Sequence, residues 1–204
     1  MKPDIDPEPP KLDAPGAGLP WLELEIARFG FHFLNRRMTR EKSSALLEKE
    51  GAAILKLARP CPADQGTQRV LIDRLPGMED SSRYWSVFMT LDHLRIVNMG
   101  IADTIRLLGL GQVPARRADT ATVKPSPEAA IGAVDDFALS CNLIERCAAQ
   151  LTDLRTEVRY DHPWFGPLDA AGWYFVAGFH LGLHRKQIEK IIRHLTPGST
   201  NIRR

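Results

Sequence analysis

Apolar residues recur along this chain mostly at three- and four-residue spacing, while β-branched alternation is confined to two short stretches, so a predominantly helical, all-α fold is predicted. From Trp21 to about Arg36, Leu22, Ile26, Phe29 and Phe33 fall on one side and Leu24, Ala27, Phe31 and Leu34 on another, the pattern of a helix packed on two sides. A second helix is expected from about Arg40 to Leu57, ending before Arg59-Pro60. Either of these segments is eligible to be the first member of a bundle. Cys61 to Asp80 reads as loop that can hold one short strand around Arg69-Val70-Leu71-Ile72-Asp73-Arg74.

Asp80, Ser81 and Ser82 offer N-caps for a long helix from about Arg83 to Leu108. Its predicted inner stripe runs through Trp85, Met89, His93, Ile96, Val97, Met99 and Leu107, with Arg95, Asn98 and Arg106 opposite. Gly111 to Lys124 is a polar crossover without apolar periodicity. Ser126-Pro127-Glu128 then looks like a helix start, and the helix predicted from it to about Leu151 buries Ile131, Val134, Phe137, Cys141, Ile144 and Ala148. Thr156 to His162 can hold a second short strand, followed by a turn at Pro163 to Pro167. A last helix from about Asp169 to Leu195, stopping at Pro197-Gly198, is amphipathic in its second half and apolar nearly all round in its first. Gly178 and Gly182 would let another backbone approach its rear face, from the N-terminal segments or from a second subunit.

Composition narrows the function classes. Lys plus Arg is 27 against 25 for Asp plus Glu, a net charge of +2, which lacks the basic excess of a nucleic-acid binder. The run Ala170 to His184 is too short to span a bilayer, and neither a secretory nor a transit segment is visible, so neither a membrane nor nucleic acid is an expected partner. Residues 1–18 read as a disordered or draped proline-rich arm, and 19–204 as one helical domain. Cys61, Cys141 and Cys147 form no C-x-x-C pair, which fits a reducing cytoplasm.

The histidines carry the chemistry. His180 and His184, four apart on a helix, project from one face about 6 Å apart, a spacing at which two imidazoles grip one metal ion. They fall centrally in the stripe of Trp173, Ala177, Ile188, Ile191 and Leu195, where few side chains besides Gln187 are at hand to bond their ring nitrogens. A lone histidine on an apolar face is more often a core residue, but His93 on a second helix would make three inward imidazoles around one point. His32 reads as solvated or salt-linked, His194 as favouring the helix C-terminus, and His162 as a turn residue that can reach the pocket rim. Glu-x-x-His pairs, H-E-x-x-H, G-x-S-x-G and phosphate-binding loops are all missing.

Tyr84-Trp85-Ser86 leading into Leu91-Asp92-His93-Leu94, then His180-x-x-x-His184-x-x-Gln187-Ile188, resembles the DinB/YfiT-like superfamily of metal-binding four-helix bundles. Asp161-His162-Pro163-Trp164-Phe165-Gly166-Pro167-Leu168 resembles an uncharacterised branch of it. The likeness spans roughly Leu75 to Leu195 and implies an up-down-down-up bundle with a long crossover between its second and third helices, here with an extra N-terminal helix. It also implies a divalent metal on His93, His180 and His184, and relatives that act as thiol-dependent transferases, isomerases or hydrolases.

Three neutral imidazoles leave a dication its full charge and an open position, suited to hydrolysis or to transfer of a small thiol on a small molecule. Zinc or nickel is the expected ion, with iron or cobalt compatible. Trp85, Met89 and Trp173 are expected pocket residues, Asp92 and Gln187 partners of the ligands, and Asp161 and His162 weak candidates for the base. The competing expectation is a non-enzymatic, dimeric helical bundle with a structural or vestigial metal site; a homodimer is expected on either reading.

Overall fold

The computed structural model describes residues 10–196, so the expected helix stop at Pro197-Gly198 and the first half of the arm lie outside the described residues. Six α-helices and two small antiparallel ribbons form the chain: α1 (Trp21–Asn35), α2 (Arg40–Ala58), α3 (Ala63–Thr67), β1 (Val70–Leu71), β2 (Tyr84–Trp85), α4 (Val87–Gly109), α5 (Ala133–Ala149), β3 (Tyr160–His162), β4 (Gly166–Leu168) and α6 (Ala170–Leu195). The bundle is made of α2, α4, α5 and α6, with α4 against α5 and α6, α6 against α2, and α2 against α5. The second N-terminal segment is therefore the first bundle helix, and α1 is the addition.

Pairwise contacts give the directions. Arg40 at the start of α2 donates to the carbonyls of Ala148 and Leu151 at the end of α5, each at 2.6 Å, so these two run antiparallel and a cation sits on a helix C-terminus. Leu46 and Glu50 of α2 face Gly178 and Gly182 of α6 in the same order, so α2 and α6 run parallel. Asn98 reaches Ser140 while Asp92 reaches the N–H of Ser126, which makes α4 and α5 parallel and requires the long crossover between them. The topology is up-down-down-up.

Two helix starts differ from expectation. Asp80–Ser82 forms a 3-10 turn instead of a cap; Trp85 pairs with Val70 in the β1–β2 ribbon, and only then does Ser86 Oγ accept the Met89 N–H at 3.1 Å and open α4. Ser126 does accept the Glu128 N–H, at 3.2 Å, but the turn does not propagate, α5 begins at Ala133, and Ile131 stays half exposed. The core face of α4 is also rotated from the predicted stripe. Phe88, Leu91, Leu94, Ile101, Ile105 and Leu108 are buried, Met99 is exposed, and Asn98 lies fully inside because its amide donates to Ser140 Oγ at 3.0 Å. The two expected strands each find a partner that the pattern did not reveal, β2 and β4.

Only one side of α1 is packed, contrary to the two-sided expectation. Phe31 is buried, stacked on Phe165 at 4.0 Å and near Phe175 at 5.1 Å, whereas Leu22, Ile26, Phe29 and Phe33 lie in solvent. His32 is neither solvated nor salt-linked: its Nε2 bonds the Phe165 carbonyl at 2.9 Å, and Arg28 donates to the Trp164 carbonyl at 2.6 Å. α1 thereby grips the turn between β3 and β4. The described part of the arm is draped on the body, with the Asp13 and Gly16 N–H groups on the carboxylates of Asp80 and Glu79. No described helix is long and apolar enough to cross a membrane.

The rear face of α6 is covered by α2. A Cβ built on Gly178 would stand 2.8 Å from Leu46 Cγ and 3.0 Å from the Leu47 backbone nitrogen, so this glycine sets how closely the two helices approach. Gly178→Val should cost about 1–3 kcal/mol by overpacking, read as a lower denaturant midpoint at unchanged slope; an unchanged midpoint would show that the contact yields freely.

Candidate metal centre

His93 lies in the second turn of α4, and His180 and His184 lie one turn apart on α6 where it crosses α4 antiparallel. Their ligand atoms all fall within 4.8 Å of one another. His180 Nε2 is 3.3 Å from His93 Nε2 and 3.0 Å from His184 Nε2. His93 and His184 are buried and His180 is half-buried.

The protons on two of the rings follow from their partners. His93 Nδ1 is 2.6 Å from the carbonyl oxygen of Val123, which can only accept, so the proton is on Nδ1. His184 Nδ1 is 2.6 Å from Gln187 Oε1, and the Gln187 amide is oriented by donating its N–H to the Ser82 carbonyl at 2.7 Å. Burial holds all three imidazoles neutral, pushing His93 down to about 4 and His180 and His184 well below the usual histidine value. Bare Nε2 lone pairs of His93 and His184 therefore both face His180 Nε2. A neutral His180 can donate to one of them at most, and its Nδ1 is buried without a partner. A cation between the three resolves the conflict, and the separations fit: two nitrogens each ~2.05 Å from a tetrahedral ion stand roughly 3.3 Å apart. The residues fit a divalent metal.

Of the other expected residues, Gln187 bonds His184. Asp92 does not: it pairs with Arg95 at 2.8 Å and accepts the Ser126 N–H at 2.8 Å, anchoring the end of the crossover. Trp85 packs on His93 and His184 with ring centroids 5.0 and 6.1 Å away, behind the centre and not on the cavity wall. Met89 is buried and also off the cavity. Trp173 does line it. Asp161 is exposed on the outer side of β3 and away from the cavity, while His162 points the other way and reaches it. His162 Nδ1 accepts the N–H groups of Trp164 and Phe165 at 3.2 and 3.4 Å, so its proton is on Nε2. His194 bonds the carbonyl of Lys190, one turn earlier in α6.

The sequence pattern gave no sign of the Val123 and Ser82 carbonyls, because a backbone acceptor has no residue signature. Glu79 is the other unforeseen member. Burial works against its ionisation, but Lys124, Thr120 and the Gly16 N–H outweigh burial and hold its carboxyl below the usual range. It fixes Lys124 at 2.9 Å, next to the Val123 carbonyl that orients His93.

The cavity beside the centre has a volume of about 650 Å³, within the range of small-molecule sites, and Tyr160, Trp164, Trp173, Phe179 and Leu183 contribute apolar wall. None of the three cysteines lines it, and burial pushes Cys141 up to about 12. Unfolded, the histidines titrate near 6.5, whereas folded His93 and His162 do so near 4, both depressed by burial. Below pH 6.5 the unfolded chain thus binds protons that the folded chain refuses. Chelator-treated protein should lose stability steadily as the pH falls from about 6.5 to 4.5, and urea midpoints that stay flat over that window would contradict the buried neutral rings.

Comparison with known proteins agrees with this architecture. The profile of the DinB superfamily matches residues 46–188. A crystal structure described as that of TT2238, a four-helix bundle protein, is similar with a TM-score of 0.52 at 19% identity, over 74% of this chain and 98% of that one. No curated protein matches. The matched segment holds the four bundle helices from within α2 to the His184–Gln187 pair, and the chain belongs to the DinB superfamily.

Proposed function

We propose that this protein is a divalent-metal-dependent enzyme acting on a small molecule by hydrolysis or by transfer of a low-molecular-weight thiol. The observation that carries the reading is the set of three Nε2 atoms aimed at one another beside a cavity of about 650 Å³. His93, His180 and His184 would hold the ion, with zinc or nickel favoured by the all-nitrogen set and iron or cobalt compatible. Bound there, the ion would supply Lewis acidity undiminished by anionic ligands.

The chain's own groups do the rest. Val123 and Gln187 hold two rings in the tautomer that presents Nε2, which raises their basicity as ligands. Trp164, Trp173 and Phe179 exclude water and orient an apolar body. His162 presents its Nε2–H to the cavity as a neutral donor, since burial keeps it from serving as a cationic acid at neutral pH. With no cysteine on the wall, a thiol reactant has to enter as a free molecule, in keeping with a low-molecular-weight thiol. The competing reading, a structural or vestigial metal in a non-enzymatic bundle, predicts a closed site, and the cavity speaks against it.

Titration of chelator-treated protein with zinc or nickel should saturate at one ion per chain. His180→Ala with His184→Ala should abolish binding while the far-UV spectrum and cooperative unfolding persist. Gln187→Leu should weaken metal binding by roughly 10- to 100-fold. Failure of the wild type to retain or take up any divalent ion overturns the proposal, and global unfolding of the histidine variant assigns the metal a structural role.

A further inference from the structure

The charged residues around the cavity are not balanced. Glu50 is held by Arg185 at 2.5 Å, Glu79 by Lys124 at 2.9 Å and Asp103 by Arg106 at 2.6 Å. Asp119 is occupied in capping the Ala121 N–H at 2.8 Å. Arg116, Arg117 and Lys186 line the same cavity, and their side chains have neither a carboxylate nor a hydrogen-bond partner among the described residues. Arg116 is not on a loose loop end. Tyr160 donates its hydroxyl to the Arg116 carbonyl at 2.5 Å, and the Tyr160 carbonyl in turn accepts the Trp173 indole N–H at 3.2 Å, which ties the crossover to β3 and α6.

We infer that the substrate is an organic anion, with an apolar or aromatic body against Trp164, Trp173 and Phe179 and a carboxylate or similar group met by Arg116 and Arg117. This rests on the metal-dependent reading for the chemistry, but the cationic rim is an independent feature. Unpaired guanidinium groups at the rim of an apolar cavity suit a carboxylate or phosphate, because charge-assisted and bidentate hydrogen bonds are the contacts they make best. A dication among neutral imidazoles adds positive charge at the other end of the same cavity, so both ends repel cations.

The test uses 3-phenylpropionate and its uncharged isostere 3-phenylpropanamide as probes, by calorimetry, on zinc-loaded and chelator-treated protein. The carboxylate should bind about tenfold or more tightly than the amide in both states, and Arg116→Gln with Arg117→Gln should erase the preference while zinc affinity stays unchanged. Equal binding of the two probes, no saturable binding of the carboxylate, or a preference that chelation abolishes and the arginine variant leaves intact overturns the inference. Zinc binding without a carboxylate preference defeats this inference alone. A carboxylate preference without zinc binding defeats the metal reading alone.

A second, independent observation concerns α1. Leu22, Ile26, Phe29 and Phe33 recur at four, three and four residues, are 60, 65, 78 and 50% exposed, and stand on the side away from Phe31. Together they present roughly 500 Å² of apolar surface, within the upper range of what a monomer leaves in water and over half of the about 800 Å² a side of a standard interface. The 4-3-4 recurrence is coiled-coil spacing, so the same face of a second copy is a matching apolar seam.

We propose that α1 pairs with α1 of a second copy of this chain. Sedimentation equilibrium at micromolar concentration should give a dimer for the wild type and a monomer for Ile26→Glu with Phe29→Glu, with the zinc stoichiometry unaffected. A monomeric wild type, a dimer that survives the double variant, or a monomer that instead floats with anionic phospholipid vesicles overturns it.

Discussion

Two bare imidazole nitrogens 3.3 and 3.0 Å from a third can share at most one proton with it, and the lone pair left over is repelled unless a positive centre stands among the three. Much of the surrounding architecture keeps those lone pairs in place. α6 crosses α4 antiparallel so that histidines one turn apart on one helix meet a histidine on the other. The Val123 carbonyl and the Gln187 amide then fix which nitrogen of two rings is bare, and Ser82 fixes the amide. Remove the requirement for convergence and a buried row of imidazoles, with one Nδ1 lacking any partner, would be an unusually poor use of a core.

The bundle supplies rigidity behind the centre, and the connections between its helices supply the front. α2 approaches α6 at Gly178 and closes the back. The crossover lies over the front and delivers Val123, Lys124 and the two arginines, while the β3–β4 ribbon brings His162 and three aromatic rings. α1 belongs to this front layer, since Arg28 and His32 hold the carbonyls of Trp164 and Phe165. Cavity and histidine cluster are thus built from different parts: the three imidazoles from bundle helices, most of the walls from the connections between them.

That division explains how much was legible in the sequence. Helices of the bundle carry long periodic patterns, and α2 and α6 are found within a residue or two of where periodicity places them. His93, His180 and His184 were visible because a helical period converts spacing into direction. The starts of α4 and α5 were misplaced because Ser82 and Ser126 are good caps locally, and whether a turn propagates depends on what the next residues pack against; Trp85 is claimed by a strand and Ile131 by solvent. The face of α4 was misjudged at Asn98, a polar residue whose burial rests on one distant hydroxyl. Asp92 stands next to a ligand in sequence yet bonds the crossover, and Glu79 acts across the fold; neither role follows from spacing.

The Val123 carbonyl belongs to the crossover, not to the bundle, and it orients His93. Ordering of that connection and occupancy of the three-histidine site are consequently linked equilibria, and linkage is reciprocal. A ligand that anchors Arg116 and Arg117, seven and six residues before Val123, would tighten the hold on an ion at the three histidines by the same factor that the ion would tighten the hold on that ligand. In a cell where divalent ions are scarce, a chain built this way would fill its site preferentially when its ligand is already at hand.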